Sequence, residues 1–399
     1  MTRKRRTTDG YYHSEYGSAR RERPTGGVAR ALLVVADSLM MALTILAALG
    51  LIAGMLAKVV DPRSTAIFTL AGLFFQVVYY LNIVAALWWV VRWRKWFLVS
   101  GAMLLLGGSN IALFYRPDFA SKASAVERTR DDIVLVSYNV ANFLSPDQKT
   151  NRYEDIVEWL NGQGASIVAL QEAQFSDSQT LTQLRNDLSR INYSIFVNAI
   201  PEQKDSSTGA GYALLSTWPI VRHGVADSDE SNINAIWADV KMGRDTLRIF
   251  NVHLQSTGIT DEERHETLSV RIIDDQAAGE KLSLVAAKMG DNYRHRASEA
   301  ESVAAAVEAS PHPVILCGDF NDTPVSYTYR TMRGRRLDDA YLRCGRGVEH
   351  TFRGLFDLFR IDYIFPEGDH FDIKEYASYD LDFSDHKPLV CRVLLIEEE

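Results

Sequence analysis

Val314-Ile315-Leu316-Cys317-Gly318-Asp319-Phe320-Asn321 reads as four apolar residues, a glycine, and then side chains of catalytic type. A short apolar run without alternation predicts a strand buried on both faces. The same phrase recurs outward from it. Ile133-Val134-Leu135-Val136 leads into Ser137-Tyr138-Asn139, and Ile167-Val168-Ala169-Leu170 into Gln171-Glu172. Leu247-Arg248-Ile249-Phe250 leads into Asn251-Val252-His253-Leu254, where alternation puts Asn251 and His253 on one face. Arg360-Ile361-Asp362-Tyr363-Ile364-Phe365 sets Asp362 among apolar neighbours, and Ser384-Asp385-His386 precedes a last strand, Leu389-Val390-Cys391-Arg392-Val393. Amphipathic helices are expected between them at 153–161, about 178–192, and about 261–308. Strands separated by helices and hairpins predict a layered α/β sandwich, with strand ends and their polar residues collected at one rim.

Each polar residue alone has an ordinary use. A buried Asn or Asp at a strand end satisfies turn backbone, and a lone His in a strand is usually a hydrogen-bonded core residue. Three acids (Glu172, Asp319, Asp385), two histidines and two asparagines at successive strand ends share no structural need. Their chemistry does have a common use. Oxygen-rich donors suit a hard cation, Mg²⁺ or Mn²⁺, and not zinc. Glu172 and Asp385 fit as metal ligands, with Asn139 as a neutral helper. Phosphoryl hydrolysis also needs a positioned water and a proton for the leaving oxygen. His386 with Asp362 makes a carboxylate–imidazole pair. Asp319 beside Asn321 is suited to orient or deprotonate water, and His253 to donate to the phosphate.

Asn139, Gln171-Glu172, Asn251-Val252-His253, Gly318-Asp319-Phe320-Asn321, Arg360-Ile361-Asp362-Tyr363 and Ser384-Asp385-His386 stand in the order of the motifs of the endonuclease/exonuclease/phosphatase superfamily. The chain resembles that family from about residue 131 to 396. The resemblance implies a four-layered, deoxyribonuclease-I-like α/β sandwich. It implies Glu172 as the metal-binding glutamate and Asp385 as the metal-proximal aspartate. Asp319 corresponds to the water-orienting aspartate and Asn321 to the phosphate-binding asparagine. His386 corresponds to the catalytic histidine, with Asp362 as its partner. His253 is similar to the histidine of the nuclease and sphingomyelinase branches, and Asn251 and His253 join Asn321 as expected phosphate-binding residues.

Upstream of this region the sequence changes character. Residues 1–125 carry 15 Lys and Arg against 6 Asp and Glu, a net of +9, whereas the remainder carries −17. Residues 1–30 read as a basic cytoplasmic tail. Apolar stretches near 31–60, 65–91 and 96–115 are each about the 20 residues a bilayer needs, so residues 31–115 are expected to form three transmembrane helices. Gln76 and Asn82 are expected to hydrogen-bond between helices. Arg92, Arg94 and Lys95 cluster in the second loop. The positive-inside rule then places tail and second loop in the cytoplasm and the catalytic domain outside. This is the topology of a multi-pass inner-membrane protein with a periplasmic domain. Residues 116–130 read as a linker and 131–399 as the catalytic domain.

The acidic soluble part argues against indiscriminate nucleic-acid binding. Three cysteines (Cys317, Cys344, Cys391) without CxxC spacing imply neither a disulfide framework nor structural zinc. Arg264, His265, Arg271, Arg294, His295 and Arg296 have two readings: contacts to substrate phosphate, or a solvated helical face paired with neighbouring acids. Tyr212 reads as strand packing. The functional expectation is a membrane-anchored, Mg²⁺- or Mn²⁺-dependent phosphodiesterase of nuclease type. The alternative is a phosphatase or phosphodiesterase for a lipid headgroup or small phosphate ester. A non-catalytic interaction module on the same scaffold is disfavoured by the complete set of site residues. The expected partners are the phosphoester substrate and the lipid bilayer; the sequence points to no protein partner.

Overall fold

The structure, a computed structural model, describes residues 27–117, 132–176, 180–256, 275–354 and 357–396. The apolar runs form strands of two stacked sheets. One sheet has the order β12 (Phe371–Ser378), β13 (Leu389–Leu395), β2 (Ile133–Asn139), β3 (Ile167–Phe175), β5 (Gly209–Ser216), β4 (Tyr193–Asn198). The other runs β11 (Asp362–Pro366), β9 (Val314–Asp319), β8 (Asp245–His253), β7 (Ile233–Met242), β6 (Ile220–Ser228). A separate pair joins β1 (Tyr115–Arg116) to β10 (Gly347–Val348).

Each sheet has one parallel pair, and these pairs place the site. β2 and β3 run parallel with Asn139 opposite Gln171, and β8 and β9 run parallel with His253 opposite Asp319. β11 lies antiparallel to β9 and sets Asp362 opposite Asp319. Both sheets thus deliver their polar ends to one rim.

Alternate side chains decide the layers. Ile133, Leu135, Ile167, Ala169 and Leu214 meet Ala238, Ile249, Ile315 and Cys317 between the sheets. On the outer face of the first sheet, Val134, Val136 and Val168 pack on Ile156 and Leu160 of α5 (Tyr153–Gln163) and on Leu184 of α6 (Leu181–Asp187). On the outer face of the second, Phe250, Val252 and Leu316 pack on Ala300, Val303 and Val307 of α7 (Asp275–Glu308), joined by Tyr329 and Met332 of α8 (Tyr327–Arg333). The four-layered sandwich expected from the sequence is the fold observed. The three thiols are buried, and burial pushes Cys317 up to about 12.

α5 ends where Gly164 takes a left-handed φ of 64°, which only glycine adopts without strain. α6 is shorter than the expected 178–192, because Leu188 turns extended to feed β4. Of the expected helix at 261–308, residues 257–274 lie outside the described residues, as do most of the basic tail and the linker.

The expectation of three spans needs correction. Among the described residues, one helix is both long and apolar enough to cross a membrane: α1 (Gly27–Leu56). The second stretch is broken into α2 (Ile67–Leu73) and α3 (Phe75–Val91), bent by 69°. The third, α4 (Phe97–Ile111), has 15 residues. The bend has a physical cause. Leu73 is drawn onto Met289, Tyr293, Phe359 and Ile361 of the sandwich, and Gly72 C=O accepts the Thr323 hydroxyl. Gln76 and Asn82 do not link the helices as expected. Asn82 donates within its own helix to Val78 C=O. Trp89 Nε1 donates to Thr44 Oγ1 at 2.8 Å, and Arg92 pairs with Asp37 at 2.9 Å, each joining α3 to α1.

Candidate active site

Asp319, at the end of β9, is the centre of the rim and is 1% exposed. Its Oδ1 accepts the Asn321 backbone N–H at 2.8 Å. Its Oδ2 accepts the side-chain amides of Asn139 and Asn321, both at 3.2 Å. Nε2 of His253 and Nε2 of His386 each stand 3.6 Å from the same oxygen. Gly318 makes this approach possible. Its φ is +135°, and a Cβ there would lie 2.0 Å from Val252 O.

His386 Nδ1 lies 3.0 Å from Asp362 Oδ2. Thr351 Oγ1 accepts the backbone N–H groups of Ile361 and Asp362, fixing the start of β11. The Phe352 ring packs at 5.1 Å from the imidazole. Burial disfavours a charged imidazole, but Asp362 and Asp319 outweigh it, and Asp385 adds to them. The pKa of His386 is raised well above its ordinary value. Burial also raises Asp362, against the pull of His386. Both rises describe one proton held by the pair. We place it on the imidazole, which two buried carboxylates flank.

Glu172 sits at an irregularity of β3, where the pairing with β5 shifts between Leu170 and Ala173. Its φ of 50° is in the left-handed region, as is that of Asn321 at 53°. Such strain in non-glycine residues persists where the surroundings enforce it. The irregularity re-aims the carboxylate toward the rim. Glu172 Oε1 accepts the Asn139 amide at 2.9 Å and lies 3.5 Å from His253 Nε2. Burial would raise this carboxyl, but the His253 imidazole and the Asn139 amide hold it below its ordinary value. Asp385 is half-buried beside His386, with Oδ1 accepting the Ser384 hydroxyl at 3.3 Å.

Two arrangements of donors bear on a metal. Asp319, Asp362 and His386 present atoms within 4.8 Å of one another. His386 Nδ1 is already committed to Asp362, so this cluster reads as a histidine–carboxylate pair beside a second carboxylate. Glu172 offers the alternative: a partly exposed carboxylate, 35% exposed, at a rim rich in oxygen. That donor set fits a hard divalent cation.

Some expected site residues are placed elsewhere. Asn251 is fully buried between the sheets. Its amide donates to Leu170 C=O at 2.9 Å and Ala213 C=O at 3.2 Å, and its oxygen accepts Gln171 Nε2 at 2.6 Å. It fastens sheet to sheet and has no atom left for phosphate. Asn139 turns its oxygen to the Ala141 N–H at 3.1 Å and its amide nitrogen to the carboxylates. It orients Glu172 and Asp319 as a donor. Arg294 is exposed and paired with Asp291, and Arg296 is wholly buried, so neither meets phosphate here. Arg264, His265 and Arg271 lie outside the described residues. The sequence reading missed Thr351 and Phe352, which stand in a loop with no periodicity.

A cleft of about 280 Å³ opens beside Glu172 and His253, lined also by Tyr212, Asn232, Asn234 and Gln255. None of the described lining residues is Lys or Arg. Tyr212 packs in its strand as expected and donates its hydroxyl to Ile233 C=O at 2.7 Å. A second dent, about 10 Å³ by Leu160 and Leu188, is too small for a ligand.

The sequence model described as the Endonuclease/Exonuclease/phosphatase family matches residues 136–386. The chain belongs to the endonuclease/exonuclease/phosphatase family. The matched span covers the strand ends that carry Asn139, Glu172, His253, Asp319 and Asp362 and reaches His386. Protein angel homolog 2 of Danio rerio is 27% identical over 213 residues, 51% of this chain and 33% of that protein. The chain therefore spans about a third of that relative's length. The structure of the human Nocturnin catalytic domain with bound sulfate is similar at 19% identity and a TM-score of 0.46, covering 70% of this chain and all of that one. A mannosyl-6-phosphatase of Bacteroides thetaiotaomicron is similar at 20% identity and a TM-score of 0.42, covering 66% of this chain and all of that one. Residues 37–114 match a separate domain of unknown function, so the family fold and the helical unit meet in one chain.

Proposed function

We propose that this chain is a membrane-anchored, divalent-metal-dependent hydrolase of phosphodiester bonds. The observation that carries the reading is the convergence of Asn139, His253, Asn321 and His386 on one buried carboxylate, Asp319, beside Glu172. Glu172 and Asp385 would hold Mg²⁺ or Mn²⁺. When bound, the ion neutralises phosphate charge and polarises the scissile bond. Asp319 orients the attacking water and accepts its proton. His253 donates to the phosphate oxygens, while the Asn321 amide, committed to Leu254 C=O and Asp319, holds that carboxylate in place. His386, held as the imidazolium by Asp362, offers positive charge and a proton at Nε2.

The boundaries we propose are a basic tail at 1–30, an apolar helical unit at 31–115, a linker at 116–130 and the catalytic domain at 131–399. Two observations support a catalytic domain outside the cytoplasm. Arg92, at the basic end of α3, pairs with Asp37 near the start of α1. The other end of α1 leads to Arg63, which pairs with Glu301 of the sandwich, and Arg330 donates to Lys58 C=O. The catalytic domain is thus docked at the end opposite the basic cluster.

A second reading, a lipid phosphoester as substrate, is favoured by a short path of packed and backbone-paired residues from the bend to the site. Phe74, at the bend, packs at 6.2 Å from Phe359, which bridges to Phe352 beside His386. The site lies close to the apolar unit. The test is to assay the full chain with Mg²⁺, with Mn²⁺ and with EDTA against DNA, RNA, phospholipid and phosphate monoesters. Metal-dependent cleavage of a diester that is lost in Glu172→Ala supports the proposal. Cleavage confined to phospholipid selects the second reading. Undiminished turnover in EDTA, or in Glu172→Ala, refutes the metal site.

A further inference from the structure

One helix grips both ends of the residue that follows Leu254. Glu299 Oε2, on α7, accepts the Gln255 N–H at 2.8 Å, and Arg296 Nε donates to the Gln255 C=O at 2.7 Å. The same guanidinium stands over the Tyr293 ring at 4.7 Å, with Nη1 3.7 Å from Asp322 Oδ2. Arg296 is 0% exposed, Glu299 6% and Asp322 1%. Gln255 lies two residues after His253, and Asp322 follows Asn321 directly. Leu254 ties the two loops together: its N–H donates to Asp319 C=O at 3.0 Å, and its C=O accepts the Asn321 amide at 2.9 Å.

Holding α7 on the sheet does not require these charges. Ala300, Val303 and Val307 already do that. Burying a carboxyl and a guanidinium is costly; here the bonds they make, from Arg296 Nε and to Glu299 Oε2, go to the backbone of the loop that carries His253, while Arg296 Nη1 and Nη2 and Glu299 Oε1 have no hydrogen-bond partner. We infer that Arg296 and Glu299 are positioning residues that set His253 against the reacting phosphate. The inference rests on the role proposed above for His253.

The test is a double-mutant cycle on the full chain, using a diester that the wild type hydrolyses with Mg²⁺. Misplacement of a group by about 1 Å costs up to roughly 100-fold, so Arg296→Lys and Glu299→Ala are expected to lower kcat about 10- to 100-fold with KM nearly constant. Glu299→Gln keeps an acceptor for the Gln255 N–H and is expected to restore kcat to near the wild-type value. Amide hydrogen exchange at Gln255 should quicken in Glu299→Ala and not in Glu299→Gln. In a His253→Ala background, Arg296→Lys should cause little further loss. Equal losses in both backgrounds, or a lowered melting temperature with kcat unchanged, would overturn the positioning role while leaving the site reading intact. Full activity in His253→Ala would overturn both.

Discussion

A histidine buried against two carboxylates answers to pH in a defined direction. The pKa of His386 is raised in the folded chain, so its pairing stabilises the fold below the ordinary imidazole pKa. That contribution is lost as pH rises through the folded value. Asp362→Asn removes the first of the flanking charges. Its His386 should titrate at lower pH, read by NMR of the ring proton, and kcat should fall roughly 10²–10⁴-fold. Asn251 gives the opposite kind of prediction. Asn251→Ala strips partners from Gln171 and from two carbonyls, costing about 1–3 kcal/mol in denaturant unfolding, with KM for the phosphoester unchanged. A raised KM would return Asn251 to the phosphate. Asp319 and His386 were legible in the sequence because each ends or precedes an apolar run. Asn251 has the same signature, yet it faces the other sheet, and no pattern within one strand says what lies across from it.

At the scale of elements, the strand ends owe their convergence to backbone that only particular residues tolerate. Gly318 is the clearest case, with φ at +135° and Val252 O where a Cβ would stand. Gly318→Ala should cost at least about 1–3 kcal/mol, seen as a lower melting temperature, and should displace Asp319. A neutral outcome would mean that β8 and β9 separate at their ends more easily than their pairing suggests. The strands that carry the site followed from short apolar runs; their order in the two sheets did not. Nor did the break at Phe74, because 65–91 is predominantly apolar on both sides of it, and hydropathy does not encode which neighbour covers a side chain. Leu73 is buried by the sandwich, whereas the helix beyond it is buried partly by α1.

For the whole molecule, the helical unit and the sandwich share one apolar seam. Leu73 packs on Met289, Phe359 and Ile361, while Val325 joins Leu51, Phe75 and Phe114. Tyr341 and Arg360 donate to the carbonyls of Phe114 and Leu113. A chain cut before residue 126 would bare this seam. We expect it to self-associate in size-exclusion chromatography where the full chain in detergent is monodisperse. A monodisperse, fully active fragment would show the seam to be dispensable. The charge asymmetry of the two parts was plain from the sequence; their mutual fit was not, since it depends on surfaces some 200 residues apart along the chain.

β13 lies between β12 and β2, at the interior of its sheet, and His386 stands three residues before it. The first sheet therefore cannot close, nor can the imidazole reach Asp362, until residue 395 has left the ribosome. Domains fold as units during synthesis, N-terminal parts first, and here the helical platform is made long before the strand that completes the site. In a nascent chain of this design the site stays incomplete until β13 has joined β2. It is completed only after the platform it stands on has been made.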